Sequence, residues 1–180
     1  MRRFFVVLGL LLAVSVPAMA QDTPKGEIFG GFSYLRAGRG ANINLSGWQG
    51  SGAVNLNDWF GIAVDASGVY EGRPGAKFSL HSVVGGPRFT YRKEERTAPF
   101  VHGLVGVTRA NEDFHLLVGS TVSEPTTTFT AVFGGGMDVK IGDQWALRAG
   151  QLDWVLTKFR NTRQSNFRYS VGVVYRIGKQ

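Results

Sequence analysis

Between residues 28 and 177 the chain alternates apolar or small side chains with polar ones at a period of two, in eight separate runs. That period belongs to a strand, whose successive side chains point to opposite faces. The runs are 28–36, 45–56, 60–70, 78–91, 100–108, 127–141, 145–156 and 166–177. About ten residues at ~3.3 Å each, tilted by ~40°, span ~25 Å, the height of the apolar band of an outer-membrane barrel. Past the first twenty residues, no stretch holds the ~18 consecutive apolar residues of a membrane helix. The 25 glycines are about twice the usual ~7% share. Aromatic and β-branched residues fill much of the remainder, which suits strands.

Connector lengths point to closure. After the second, fourth and sixth runs the connectors are short: Asn57-Asp58, residues 92–96, and Gly142-Asp143-Gln144. After the first, third, fifth and seventh they read as longer and polar, the longest from Arg109 to Ser123. Tight turns at one end and loops at the other match an up-and-down transmembrane barrel, with the turns on the periplasmic side.

Alternation gives two faces but not their direction. A soluble barrel turns its apolar face inward, and a membrane barrel turns it outward. The second run splits into Trp48, Gly50, Gly52, Val54 and Leu56 against Gln49, Ser51, Ala53 and Asn55. The last splits into Phe167, Tyr169, Val171, Val173, Tyr175 and Ile177 against Arg168, Ser170, Gly172, Val174 and Arg176. The second face of each pair is too small or too charged to make a soluble core, and the first would be a large greasy exterior in water. The bulky face is therefore expected to meet lipid.

Charged residues then fall inside. Asp65, Arg88, Asp138, Arg148, Asp153, Arg168 and Arg176 interrupt apolar runs. A midplane arginine facing lipid costs ~2–4 kcal/mol, whereas inside it can pair with a carboxylate. A lumen ion-pair network is expected, in an eight-stranded bore just wide enough for side chains to fill. Strict alternation from Arg148 sends Gln151 and Asp153 toward lipid, so a β-bulge at Gly150 is expected to restore them to the interior. Aromatics mark the strand ends. Tyr34, Trp48, Tyr70, Trp154 and Tyr169 fall toward the loops, and Phe60, Tyr91, Trp145 and Tyr175 toward the turns. They are expected to form two interfacial girdles.

The N-terminus sets the compartment. Arg2 and Arg3 precede an apolar run over residues 4–16, then Pro17 and Ala18-Met19-Ala20. That is the layout of a cleaved secretory signal peptide, so residues 1–20 are expected to be removed and residues 21–180 to form one barrel domain. There are no cysteines, which excludes disulfides, thiolate metal sites and a lipidated cysteine anchor. Without Arg2 and Arg3 of the expected signal, 18 of the 20 basic residues stand against 13 acidic ones, a net +5, which is mild and gives no case for nucleic acid in an exported chain.

Three stretches carry a family resemblance: residues 27–34 (EIFGGFSY), 86–92 (GPRFTYR) and 99–103 (PFVHG). With residues 134–139 (GGGMDV) and the Arg148 run, the chain resembles the OmpA-like outer-membrane β-barrel family. The resemblance spans the whole chain after the signal. It implies an eight-stranded barrel of the Gram-negative cell envelope, in the bacterial outer membrane and in contact with its lipid. The C-terminal pattern Ser170-x-Gly172-x-x-Tyr175-x-Ile177 looks like the signal read by the barrel-assembly machinery, which implies that machinery and periplasmic chaperones as partners. Ile177 replaces the usual terminal Phe, and Gly178-Lys179-Gln180 overhang it. The peptidoglycan-binding domain that follows the barrel in OmpA is not expected here.

No catalytic, cofactor or metal constellation is expected. His81 and Ser82 are strand neighbours and point to opposite faces. His102 shares the parity of Phe100 and Leu104 and is expected in the lumen. Glu112, Asp113 and His115 read as a solvated loop. Basic residues in the loops, among them Arg36, Arg39, Arg160 and Arg163, could bridge lipopolysaccharide phosphates. The expected function is a monomeric, non-enzymatic barrel with a structural or surface-interaction role. A narrow porin-like passive pore and a lipid A-modifying enzyme are the alternatives.

Overall fold

The computed structural model describes residues 23–37, 44–73, 76–115, 121–123, 126–159 and 162–179. The expected signal peptide, 1–20, lies outside them. All regular structure among the described residues is strand: β1 (Gly26–Ala37), β2 (Asn44–Asn55), β3 (Phe60–Arg73), β4 (Ala76–Thr90), β5 (Thr97–His115), β6 (Thr121–Ser123), β7 (Thr126–Lys140), β8 (Trp145–Phe159) and β9 (Thr162–Ile177). On β5, Asp113 pairs with Ser123 and Ala110 with Thr126 in one continuous register. β6 and β7 are thus a single stave, and the barrel has eight. Neighbours are antiparallel throughout; β4 pairs with β5, and β9 returns to β1. Closure leaves no sheet edge across the middle of the barrel, so backbone donors and acceptors are satisfied there without water.

The ladders are staggered around the ring. A path from Leu35 crosses to Arg168, Asp153, Gly134, His102, Arg88, Gly61 and Asn55, and comes back to the chain at Lys25, ten residues from where it began. This shear forces the strands to tilt and fixes the bore.

The three short turns lie where the sequence puts them. Asn57 Oδ1 accepts from the backbone N–H of Trp59 (3.1 Å) and Phe60 (2.7 Å), an Asx-type turn. Ile141 and Gly142 both donate to the Trp145 carbonyl. The opposite end differs from expectation. Arg73 pairs with Ala76 and Phe159 with Thr162, so β3–β4 and β8–β9 are joined by hairpins rather than longer loops. β5 also continues to His115, with Glu112 and Asp113 paired to Phe78 and Lys77. Glu112, Asp113 and His115 belong to a ladder, not to a solvated loop. The run Asn111-Glu112-Asp113 has no apolar–polar alternation, so the period-two pattern ends before the pairing does.

The bulge at Gly150 is present. β8 slips by one residue against both neighbours around Ala149 and Gly150. Gln151 and Asp153 are buried inside, whereas Leu152 (62% exposed) and Trp154 face out. Deleting Gly150 would remove the slip yet leave Gln151 on the inner face opposite Ser170. That variant is expected to keep a compact, heat-modifiable barrel. An alanine inserted between Leu152 and Asp153 should abolish it, because Asp153 would turn to the outer face. Migration of unheated against boiled samples distinguishes the two.

Candidate functional site: the charged lumen

A chain of buried polar contacts runs up the bore. It begins at the turn end, where Arg92 donates to the Asp58 carbonyl (2.8 Å) and its Nη2 lies 2.8 Å from Glu27 Oε1. Glu27 Oε2 lies 2.8 Å from Arg88 Nη1, and Arg88 Nη2 is 3.1 Å from Asp138 Oδ2. Arg148 closes a fork on Asp138, with Nε to Oδ1 at 2.7 Å and Nη2 to Oδ2 at 3.0 Å. This two-point contact fits a planar guanidinium on a carboxylate. The remaining Nη1 of Arg148 donates to Gln151 Oε1 (2.8 Å), and Gln151 Nε2 donates to Asp153 Oδ2 (2.8 Å).

Asp153 is the upper junction. Arg168 donates to its Oδ2 through Nε (2.9 Å) and Nη2 (2.7 Å), and His102 Nε2 lies 2.9 Å from its Oδ1. Arg168 Nη1 continues to Asp65 Oδ1 (3.0 Å) and Ser67 Oγ (2.8 Å). Gln49 Nε2 donates to the other Asp65 oxygen. Burial makes an unpaired charge expensive, and here each carboxylate meets at least one arginine.

Two rings sit among the charges. The Arg88 guanidinium lies 4.1 Å from the Phe100 ring centre, and that of Arg148 lies 4.2 Å from Phe29 and 4.4 Å from Phe100. Facing glycines give the rings room. A Cβ on Gly31 would fall 2.7 Å from the Phe29 ring, and one on Gly136 would fall 3.0 Å from Phe100. Beside Arg168 lies a cavity of about 30 Å³ bordered by Ser67, Ser82, Thr108, Thr157 and Asn166. Thr130 donates to Thr108 (2.6 Å), which lies 2.9 Å from Ser82. The apolar residues Leu35, Leu45 and Val69 pack together at the loop end.

Of the seven charged residues expected inside, Asp65, Arg88, Asp138, Arg148, Asp153 and Arg168 are buried in this chain. Arg176 is half-buried and stands opposite Glu27 in the β1–β9 register. Glu27 and Arg92 were not expected there; Gln49, already on the face expected to point inward, joins the chain through Asp65. Glu27 shares the parity of inward Ser33, but Phe29 lies on the same face and makes it read as apolar. Tyr34, Trp48, Tyr70, Trp154, Tyr169, Tyr91 and Trp145 are exposed on the outer face, and Phe60 and Tyr175 are half-buried there. Trp59 and Phe89, absent from the expected girdle, stack at 5.9 Å beside Phe60. Ser170 is buried; Ile177 is exposed on the outer face beyond the Tyr175–Trp145 ring pair. His81 and Ser82 do face apart: His81 contacts Tyr70, and Ser82 contacts Thr108.

The outer wall is apolar around its circumference. Ile28, Val54, Ile62, Val101, Phe133 and Leu152 are each at least half exposed. An inner charged chain within such a wall defines a transmembrane-type β-barrel. The sequence agrees at family level: residues 6–176 match the outer membrane protein beta-barrel domain, and the chain belongs to that family. None of the curated proteins compared with it matches in sequence. Among solved structures it is similar to neisserial surface protein A (TM-score 0.71, 16% identity, covering 88% of this chain and 100% of that one). It is also similar to Ail, the attachment invasion locus protein of Yersinia pestis, in complex with the heparin analogue sucrose octasulfate (TM-score 0.63, 18% identity, 83% and 97%). The outer membrane protein OprG of Pseudomonas aeruginosa is a third (TM-score 0.55, 10% identity, 88% and 98%). At these identities the likeness is one of fold.

Asp153→Leu would strand His102, Gln151 and one side of Arg168. It is expected to lower stability by about 3–5 kcal/mol, seen as an earlier transition in urea or on heating. Glu94→Leu, in an exposed turn, should stay within ~0.5 kcal/mol of the parent.

Proposed function

We propose that the protein is an integral outer-membrane barrel with a sealed lumen, and that it acts through its surface rather than by conducting solutes. The observation that carries this reading is the unbroken line of contacts from Arg92 to Gln49, which occupies the bore with paired charges and two phenyl rings. A conducting pore needs a hydrated path, and the paired side chains and the two rings occupy the space in which it would run.

The membrane reading rests on the exposed apolar wall with aromatics toward both rims. Its short turns face the periplasm, after export through the leader at 1–20. Ser170, Gly172, Tyr175 and Ile177 form the terminal strand that the assembly machinery would read, with Tyr175 and Ile177 on the lipid face. At the loop end Arg36 and Lys158 are exposed; the side chains of Arg39, Arg160 and Arg163 lie outside the described residues. A cationic rim of this kind suits a soluble polyanion, the ligand class present in the Ail complex.

Wild-type protein reconstituted in planar bilayers is expected to show no stable channels, and sustained single-channel steps would overturn the sealed reading. Protein extracted from outer membranes should show heat-modifiable migration. Replacing Arg36 and Lys158 together by glutamine should weaken binding to immobilised heparin roughly fivefold, on the scale of exposed ion pairs.

A further inference from the structure

One outward row near the loop end differs from the rest of the wall. Cross-strand pairing sets Trp48 beside Gly68, Gly68 beside His81, His81 beside Arg109, and Arg109 beside Thr127. One step toward the turns the outward row is Ala66, Val83, Val107 and Phe129, with the last three more than half exposed. One step toward the loops it becomes Tyr70, Ser79 and Asn111. The row therefore lies where the apolar wall gives way to polar residues.

Its side chains are organised. Trp48 Nε1–H donates to the Tyr70 hydroxyl oxygen (3.3 Å), and that oxygen lies 3.1 Å from His81 Nε2. An indole N–H only donates, so Tyr70 accepts from Trp48 and its own hydrogen is free to point to His81 Nε2. That arrangement puts the neutral imidazole's proton on Nδ1, its one ring N–H donor. Gly68 makes the packing possible: a Cβ there would fall 2.7 Å from Trp48 Nε1 and 2.9 Å from the Tyr70 hydroxyl. Directly opposite side chains in an antiparallel pair have Cβ atoms ~4.5–5.5 Å apart. Arg109, exposed, and His81, half-buried, thus stand side by side on the outer face. Arg109 has no ion pair among the described residues.

We propose that His81 and Arg109, ordered by Tyr70 and Trp48, form a wall site for the phosphate of an acylated, phosphorylated glycolipid of the outer leaflet. The inference rests on the membrane reading above. Guanidinium and imidazole N–H groups are matched donors for a phosphate. The valines below the row lie at the depth of acyl chains, and the polar residues above it at the depth of sugars. A soluble anion would gain nothing from that position on the wall. A lipid phosphate is held there by its own chains.

The test uses the folded full-length barrel and phosphatidylcholine nanodiscs or vesicles doped with bisphosphorylated lipid A, dephosphorylated lipid A, or phosphatidylglycerol. Wild type should bind the bisphosphorylated lipid roughly fivefold more tightly than the dephosphorylated one, from the ~1 kcal/mol that one cation gains near an anionic surface. Arg109→Gln with His81→Gln should remove most of that preference, while Lys140→Gln, at the opposite end of the barrel, should keep it. Equal binding of the two lipid A forms, an undiminished preference in the double variant, or equal preference for phosphatidylglycerol would each overturn the site. Heat-modifiable migration of every variant separates failure of the site from failure of the barrel reading.

Discussion

Asp153 sits in the middle of the bore with hydrogen-bond partners on three sides, from His102, Gln151 and Arg168. Asp153 is 1% exposed, and a buried carboxylate needs donors from the surrounding wall. The bulge around Gly150 turns Asp153 and Gln151 inward. Gly134, across the β7–β8 ladder, leaves the space that Asp153 Oδ1 occupies. Arg168 then divides its donors between Asp153 and Asp65, tying β8 to β3 across the lumen. Such pairs contribute little net stability against an apolar filling, but losing one partner is costly. The network therefore specifies one register and one closure more than it adds to stability.

Volume is handled by the same device. Eight staves leave a bore that side chains must fill, and guanidinium planes alone would leave gaps beside the charges. Phe29 and Phe100 fill them and offer their faces to Arg88 and Arg148. This use of phenyl rings in a polar interior breaks the simple division of bulky residues outside and small or charged residues within. It is affordable because the inward glycines facing them carry no side chain.

Much of this was legible in the residues. Asp65, Arg88, Asp138, Arg148 and Arg168 followed from parity, Asp153 from the bulge that its clash with Arg148 on strict alternation requires, and the turn end from the short connectors. Glu27 was hidden because its strand begins there, so only one neighbour defined its face and Phe29 confused it. The extension of β5 was hidden for another reason. Asn111-Glu112-Asp113 is polar throughout and carries no alternation, so Glu112 and Asp113 look like loop residues although Phe78 and Lys77 pair with them. The row of Trp48, His81 and Arg109 was illegible in principle, since its members come from three strands.

The sequence by itself determined the two faces of each strand, because side-chain alternation is a local property of an extended backbone. It also determined which face would meet lipid, since buried arginines and aspartates have no other stable placement. Register around the ring was decided only in the tertiary structure. Stagger depends on eight ladders closing at once, and no single strand carries that information. Which arginine meets which carboxylate, and which cation stands beside His81, follow from closure and not from spacing along the chain.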